Sequence, residues 1–349
     1  MLGAAFTYRG REFVRGVVPS GINQGMTFTV ARRLAERYEV QKFFASGGCG
    51  LLLEGHDLRT GTSVLIKTTL RYDVIEYVRG HDEDGLTKQL IGPRKQLQTE
   101  RRIMVLLKNS GCNSIPNPND YIFDWNPWLE TSGGDGSWKY LDENMLSSEP
   151  YLIMERMDGH TLSNELMVPL AEARTLAIMG QVAHVLAALH QPISRGKDEW
   201  RLVYQDLKPD NIMIGQEDSV SLLDLGGCRL TLGGPAAGRV GLKGASTPGY
   251  CAPECQGADP LTPSVDCYTV ASTMFHMLTG HSPTKFLGAT AATNGPQFVS
   301  FERWDWAALE GRVSHATCAF LRRCLAHKPS ERPRDGAALV SEIALLRKG

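Results

Sequence analysis

No pair of cysteines in this 349-residue chain has C-x-x-C spacing. The eight present, at 49, 112, 228, 251, 255, 267, 318 and 324, follow no disulfide-rich pattern. They are expected to be reduced thiols. Cys251 and Cys255, four apart with no clustered histidines, read as buried small residues rather than as half of a zinc site. No apolar run approaches the roughly 18 residues of a membrane span. The opening MLGAAFTYRGREF lacks the apolar core of a signal peptide, so a soluble, cytoplasmic protein with no membrane partner is expected. Excess charge of one sign is also missing: 37 Lys and Arg against 38 Asp and Glu create no overall field that would draw nucleic acid. Internal repeats and low-complexity tracts are absent. What is there is an ordinary globular composition, 42% hydrophobic and 21% charged, sufficient for a sizeable core in one or two domains.

Residues 1 to about 36 contain strand-like TYRGREFV and MTFTVA around a Pro-Ser-Gly turn and carry no chemical signal, so they are set apart as an N-terminal extension. From 37 onward YEVQKFF reads as a strand. A glycine cluster follows at 47–50, and LLLEGHDLRTGTSVLIKTT reads as two strands joined by a turn at Gly61. A charged stretch at 79–95 leads into a helix predicted over about Pro93 to Lys108, stopped by Asn109-Ser110-Gly111. Residues 68–95 and 126–149 read as insertions, the second polar and Gly-rich, ahead of a strand over Tyr151 to Met154. After Gly159 the pattern turns helical. Residues 172–190 and 266–279 are apolar around most of the circumference and are expected to be buried helices. The class is α+β: a small strand-rich lobe over about 37–155, a connector at Glu155 to Gly159, and a larger helical lobe over about 160–349 with one short hairpin.

Chemistry concentrates at a few places. Ala45-Ser-Gly-Gly-Cys-Gly50 lies between two strands, which disfavours a dinucleotide loop opening a helix. Glycines at 47 and 50 would let backbone N–H groups approach phosphate oxygens, although a merely flexible hairpin has the same composition. Val64-Leu-Ile-Lys67 ends a strand in a lysine among apolar neighbours. That lysine either meets an anion or reaches out to water. On the following helix Glu100 falls on the apolar stripe of Leu97, Met104 and Leu107, so it wants a cation. Lys67 is the candidate, with Arg101 or Arg102 as the structural alternative. In Tyr204-Gln-Asp-Leu-Lys-Pro-Asp-Asn211, Pro209 excludes helix at Lys208, and an extended loop presents Asp206, Lys208 and Asn211 separately. A hairpin of Ile212–Ile214 and Val220–Leu223 then brings Asn211 beside Asp224. The two are hard oxygen ligands suited to magnesium.

Taken in order these motifs resemble the protein kinase family, over roughly Tyr38 to Leu346. The resemblance implies a two-lobed kinase domain at 37–349 that uses ATP and Mg2+ to phosphorylate serine or threonine hydroxyls of a protein substrate. By it, the turn with Ala45, Gly47, Gly48 and Gly50 covers the ATP phosphates, Lys67 binds the α and β phosphates, and Glu100 holds Lys67. Met154 stands behind the adenine, and the backbone of Glu155 to Met157 contacts it. Asp206 is the catalytic base, Lys208 lies near the transferred phosphate, and Asn211 and Asp224 hold magnesium. Thr247-Pro-Gly-Tyr-Cys-Ala-Pro-Glu254 is the substrate-docking segment, Arg332 the buried partner of Glu254, and Asp266 the start of a helix supporting the catalytic loop. The chain departs from the family pattern at Ala45, which replaces the first glycine, at Asp224-Leu-Gly226, and at Gln205, where the family usually has a basic residue. A nucleotide-binding scaffold without turnover, a small-molecule phosphotransferase, and an interaction module using Trp125, Trp128 and Trp138 are the rival readings. Because Gln205 carries no charge, activity is expected not to depend on phosphate at Thr231 or Ser246. Control by partners of the N-terminal extension or by expression level is expected instead, and the 126–149 insertion is a second place where a regulatory partner could bind.

Overall fold

Alternating burial dictates the first part of the structure. In GLLLEGHD every second side chain is buried, which is the period of a strand with one face in a core. The computed structural model describes residues 2–8, 10–21, 24–47, 50–69, 83–124, 149–195, 198–232, 239–240, 247–256, 261–288 and 297–349. These divide into two compact units, Met1–Val105 with Pro116–Arg156, and Leu106–Ile115 with Met157–Gly349.

In the first unit, β1 (Leu2–Tyr8), β2 (Arg11–Val17) and β3 (Thr27–Ala31) form a three-stranded antiparallel sheet. TYRGREFV, read as one strand-like run, is two strands that reverse at Gly10, whose φ of 77° suits glycine. A second antiparallel sheet has the order β4-β5-β6-β7-β9-β8, built from β4 (Arg33–Leu34), β5 (Tyr38–Gly47), β6 (Gly50–Asp57), β7 (Thr62–Thr68), β8 (Pro118–Asp124) and β9 (Glu149–Glu155). The expected turn at Gly61 joins β6 to β7, with φ of 74°. Phe13, Val14, Phe28 and Val30 from the first sheet, with Val18 just past β2, share one apolar cluster with Tyr38, Phe43, Leu53, Ile66 and Ile153 from the second. Arg11 fastens the edge: its guanidinium donates to both oxygens of Asp124 at 2.7 and 2.5 Å, and Asp124 also accepts from the Ala35 amide at 2.6 Å.

Two readings of this region are corrected. Helix α1 runs Glu83–Asn109, so Pro93 lies inside it and the 68–95 stretch is part helix. The Gly-Pro pair resembled a helix start, but Leu86 to Ile91 ahead of it are mostly good helix formers. Glu149, placed in the polar insertion, begins β9 and is fully buried, accepting from Thr69 Oγ1 and, at 2.9 Å, from Arg94. A glutamate beside Pro150 does not read as a strand, and those partners make its burial tolerable. Burial pushes its carboxyl above the usual range. The remaining insertion residues, with Trp125, Trp128 and Trp138, lie outside the described residues.

The second unit is built on α2 (Glu172–Leu189), α3 (Ser264–Thr279), α4 (His315–Cys324) and α5 (Gly336–Leu346). In α3 only His276 escapes full burial, as the all-round apolar pattern predicts. Its buried hydroxyls turn back on backbone carbonyls, Thr269 on Asp266, Thr273 on Thr269, Thr279 on Phe275. The expected single hairpin is an underestimate. β10 (His160–Thr161), β13 (Ile212–Ile214) and β14 (Val220–Leu222) form one sheet. β11 (Ile193–Arg195), β12 (Asp198–Val203), β15 (Arg229–Leu232) and β16 (Arg239–Val240) form another. β13 and β14 are the predicted hairpin; the other strands are only two to six residues long, so their period-two signal is too short to register. Among the described residues no helix is long and apolar enough to cross a membrane.

Candidate functional site

Within the first unit, Lys67 on β7 and Glu100 on α1 meet: Nζ donates to Oε1 at 2.9 Å and to Oε2 at 2.8 Å, with both side chains buried. Lys67 lies on the face of β7 opposite to Val64 and Ile66 and is buried near the strand's end, and Glu100 arrives on the apolar stripe of α1. Arg101, the alternative partner, instead lies over the Tyr121 ring at 5.7 Å. The glycine turn is the end of the β5–β6 hairpin: Ala45 pairs with Leu52 and Gly47 with Gly50. At Gly50 φ is 129°, and a Cβ would come within 1.9 Å of the Thr68 carbonyl oxygen, so only glycine fits. Gly48 lies outside the described residues. Met154 is buried on β9, and Glu155 beyond it is tied by backbone and side chain to Asn117 at 2.9 and 3.1 Å.

Within the second unit, the loop after β12 places the remaining groups. Lys208 is extended, at φ −157° and ψ 165°, as Pro209 requires. Asp206 Oδ1 accepts from the Thr247 hydroxyl at 2.6 Å and its amide at 3.1 Å, and Oδ2 accepts from Lys208 Nζ at 3.0 Å. Lys208 Nζ also donates to the Thr247 hydroxyl at 2.7 Å, closing a three-residue ring. Asn211 Nδ2 donates to the Asp206 carbonyl at 2.8 Å, which turns its amide oxygen the other way. The Leu223 amide donates to the Asn211 carbonyl at 2.9 Å, so the β13–β14 hairpin sets Leu223 across from Asn211 and Asp224 one residue beyond it. Asp224 sits at φ 51° and caps Gly226 at 3.3 Å. Two hard oxygen donors, one neutral and one anionic, fit magnesium that keeps water and phosphate as its other ligands. Among the described residues no group of three or more His, Cys, Asp and Glu gathers for a metal.

The support beneath this loop was only partly legible. Asp266 is fully buried and accepts from the Tyr204 and Gln205 amides at 2.7 and 2.8 Å. Those bonds hold Gln205 at φ 69°, a conformation that costs free energy for a residue with a Cβ. His190, which sequence reasoning missed, bridges Asp266 Oδ2 at 2.8 Å and the Gly336 amide at 2.8 Å. Nδ1 accepts from Gly336, so Nε2 carries the proton given to Asp266. Its sequence signal was faint: a lone histidine closing an apolar helix. Glu254 and Arg332 form a buried two-pronged pair at 2.6 and 3.0 Å, with Arg332 also donating to the Ala326 and His327 carbonyls. Gln205 Nε2 donates to the Cys255 sulfur, at 3.7 Å. Thr231 is buried on β15, its hydroxyl donating to the Arg201 carbonyl, while Ser246 lies outside the described residues. Tyr250 and His276 share a 2.6 Å hydrogen bond. Burial pushes the phenol up to about 12 and the imidazole down to about 4.

A family model describing the protein kinase domain matches residues 137–342. The serine/threonine-protein kinase PknL of Mycobacterium tuberculosis is 26% identical over 318 residues, covering 90% of this chain and 66% of its own. Serine/threonine-protein kinase A of Synechocystis is 24% identical over 329 residues, 89% of this chain and 53% of its own. Pkn1 of Myxococcus xanthus is 31% identical over 210 residues, 58% of this chain and 28% of its own. The chain therefore spans less than two thirds of the length of these relatives.

Proposed function

Because the chain belongs to the protein kinase domain family, we propose that it transfers the γ-phosphate of ATP to serine and threonine hydroxyls of a protein substrate. The observation that carries this is the ring of Asp206, Lys208 and Thr247 beside Asn211 and Asp224. Phosphoryl transfer asks for positioning and charge neutralisation more than for covalent help. Asp206 takes the proton of the acceptor hydroxyl at a carboxylate oxygen. The Thr247 and Lys208 bonds fix the orientation of that carboxylate, and Lys208 offsets phosphate charge. Lys67, held by Glu100, binds the α and β phosphates. Met154 and the backbone of Glu155 to Met157 receive the adenine, and the turn from Ala45 to Gly50 covers the phosphates. Asn211 and Asp224 would hold magnesium, which when bound supplies further neutralisation of the phosphate oxygens. Thr247 to Glu254 receives the protein substrate, a threonine at 247 and a lysine at 208 being features of the serine/threonine branch.

The proposal takes residues 37–349 as the kinase domain, with the strand-rich and helical units as its two lobes. A reducing, cytoplasmic setting is proposed from the cysteine spacing, which follows no disulfide-rich pattern. The test is incubation with labelled ATP and magnesium, followed by mapping of the phosphorylated residues in an acceptor protein. Phosphoserine or phosphothreonine is expected. ATP binding without transfer, transfer only to a small molecule, or phosphotyrosine alone would overturn the proposal.

A further inference from the structure

The loop that follows β2 meets the end of β5, where the glycine-rich hairpin begins. Between β2 and β3 the chain runs past the end of β5, and Gly21 forms a parallel bridge with Ser46. The Ser46 amide donates to the Ser20 carbonyl at 3.0 Å, and the Ser20 hydroxyl donates to the Phe44 carbonyl at 3.3 Å. Ser46 directly precedes Gly47, which pairs with Gly50 across the hairpin. The fit is close: a Cβ on Gly21 would stand 1.7 Å from the Ser46 carbonyl oxygen and 2.8 Å from its carbon. Both neighbours are backbone, so no side chain can swing aside to make room. In β2, five residues earlier, Gly16 faces the Phe43 ring, where a Cβ would come within 2.0 Å. Glycine is therefore required at two successive contacts between the extension and β5. These contacts fix the height of the strand that leads into the phosphate-binding turn.

We propose that Ser20 and Gly21 are positioning residues for nucleotide: they brace β5 at Ser46, so that the backbone around Gly47 and Gly50 is already set where phosphate oxygens are to be met. This rests on the nucleotide site proposed above. A preset backbone avoids the ordering cost that a free hairpin bears when ligand binds, and a displacement of about 1 Å can cost on the order of 100-fold in a placed reaction. Because the brace acts on the part of the site that meets phosphate, it should matter for ATP and not for adenosine.

Gly21→Ala in the full chain tests this, with Gly10→Ala and Gly25→Ala as controls. Those glycines also have positive φ, 77° and 83°, but open space around the would-be Cβ. All three substitutions carry backbone strain, and only the first pushes on Ser46. Calorimetry with Mg-ATP and with adenosine should show about tenfold weaker ATP binding in Gly21→Ala, adenosine binding within about twofold, and both constants unchanged in the controls. Equal losses for ATP and adenosine, or an ATP constant like that of wild type, would overturn the brace. If Gly21→Ala does not fold, Ser20→Ala removes the bond to Phe44 without backbone strain. A two- to fivefold loss for ATP alone is then expected, about the worth of one hydrogen bond, and no loss overturns the proposal. Wild-type protein that binds adenosine and ATP equally would refute the phosphate-binding reading itself, and the brace with it.

Discussion

Removing either member of the Lys67–Glu100 pair gives a prediction whose size follows from the geometry. At 2.8 Å and an effective dielectric of about 20, the attraction is of order 6 kcal/mol, most of it offset by the cost of taking both ions out of water. The side chains are 7% and 3% exposed, so the ion left behind by a single substitution is not rescued by solvent. Glu100→Ala and Lys67→Ala should each cost about 3–5 kcal/mol in urea denaturation. Lys67→Met with Glu100→Leu removes both charges together and fills the space, so that double variant should lie within about 2 kcal/mol of wild type. Kinase turnover should fall in each single variant and be hardly lower in the double, because the residues act as a unit. A double variant whose stability loss equals the sum of the singles would refute the pairing as the reason for their burial. Additive losses of turnover would show that Glu100 acts on catalysis through another partner.

Asp206→Asn keeps the Thr247 contacts sterically possible but removes the proton acceptor. Phosphate transfer to a peptide should fall by a factor of about 100 to 10,000 while calorimetric ATP binding stays nearly constant, and near-normal turnover would refute the assignment. Thr231 is inaccessible on β15 and Gln205 offers no charge to a phosphate, so phosphatase-treated wild type and Thr231→Ala should both retain activity within tenfold on an external substrate. A larger loss, above about 1.4 kcal/mol of transition-state stabilisation, would show that another basic residue receives a loop phosphate. His276 predicts a pH slope in stability. Its imidazole is neutral in the fold down to about 4, whereas in the unfolded chain it takes a proton near 6.5. Between those values the unfolded chain binds more protons, so this contribution is complete above about pH 6.5 and is lost as the pH falls toward 4. Discounted for partial exposure, it amounts to about 1–2 kcal/mol. Thermal denaturation at pH 7.5 and 5 should show a smaller difference in His276→Gln than in wild type.

How far the sequence could be read depended on whether a residue's reason was local. Gly61, Pro209 and the alternation of β6 act through their own φ, ψ or period, and each element lies where those signals put it. Lys67 and Glu100 were paired by a stripe on α1, a periodic signal that survives at long range. Pro93 misled because a rule about helix starts was applied where favourable upstream residues carry the helix through it. Glu149 and His190 were not legible, since their burial is justified only by Thr69 and Arg94 in one case and by Asp266 and Gly336 in the other. Those partners lie far off in sequence, and no pattern along the chain announces them.

Asp266 has a further consequence for how the molecule comes apart. A single carboxylate, fully buried, holds the Tyr204 and Gln205 amides, and His190 ties the same carboxylate to the first residue of α5. The segment carrying Asp206 therefore has no low-energy opening of its own. Freeing those two amides strands a charge in the centre of the helical unit, so they are expected to exchange with deuterium only through its global unfolding. The loop proposed to carry the chemistry then belongs to the slowest-exchanging part of the helical unit, and heat should remove activity together with that unit's structure rather than before it.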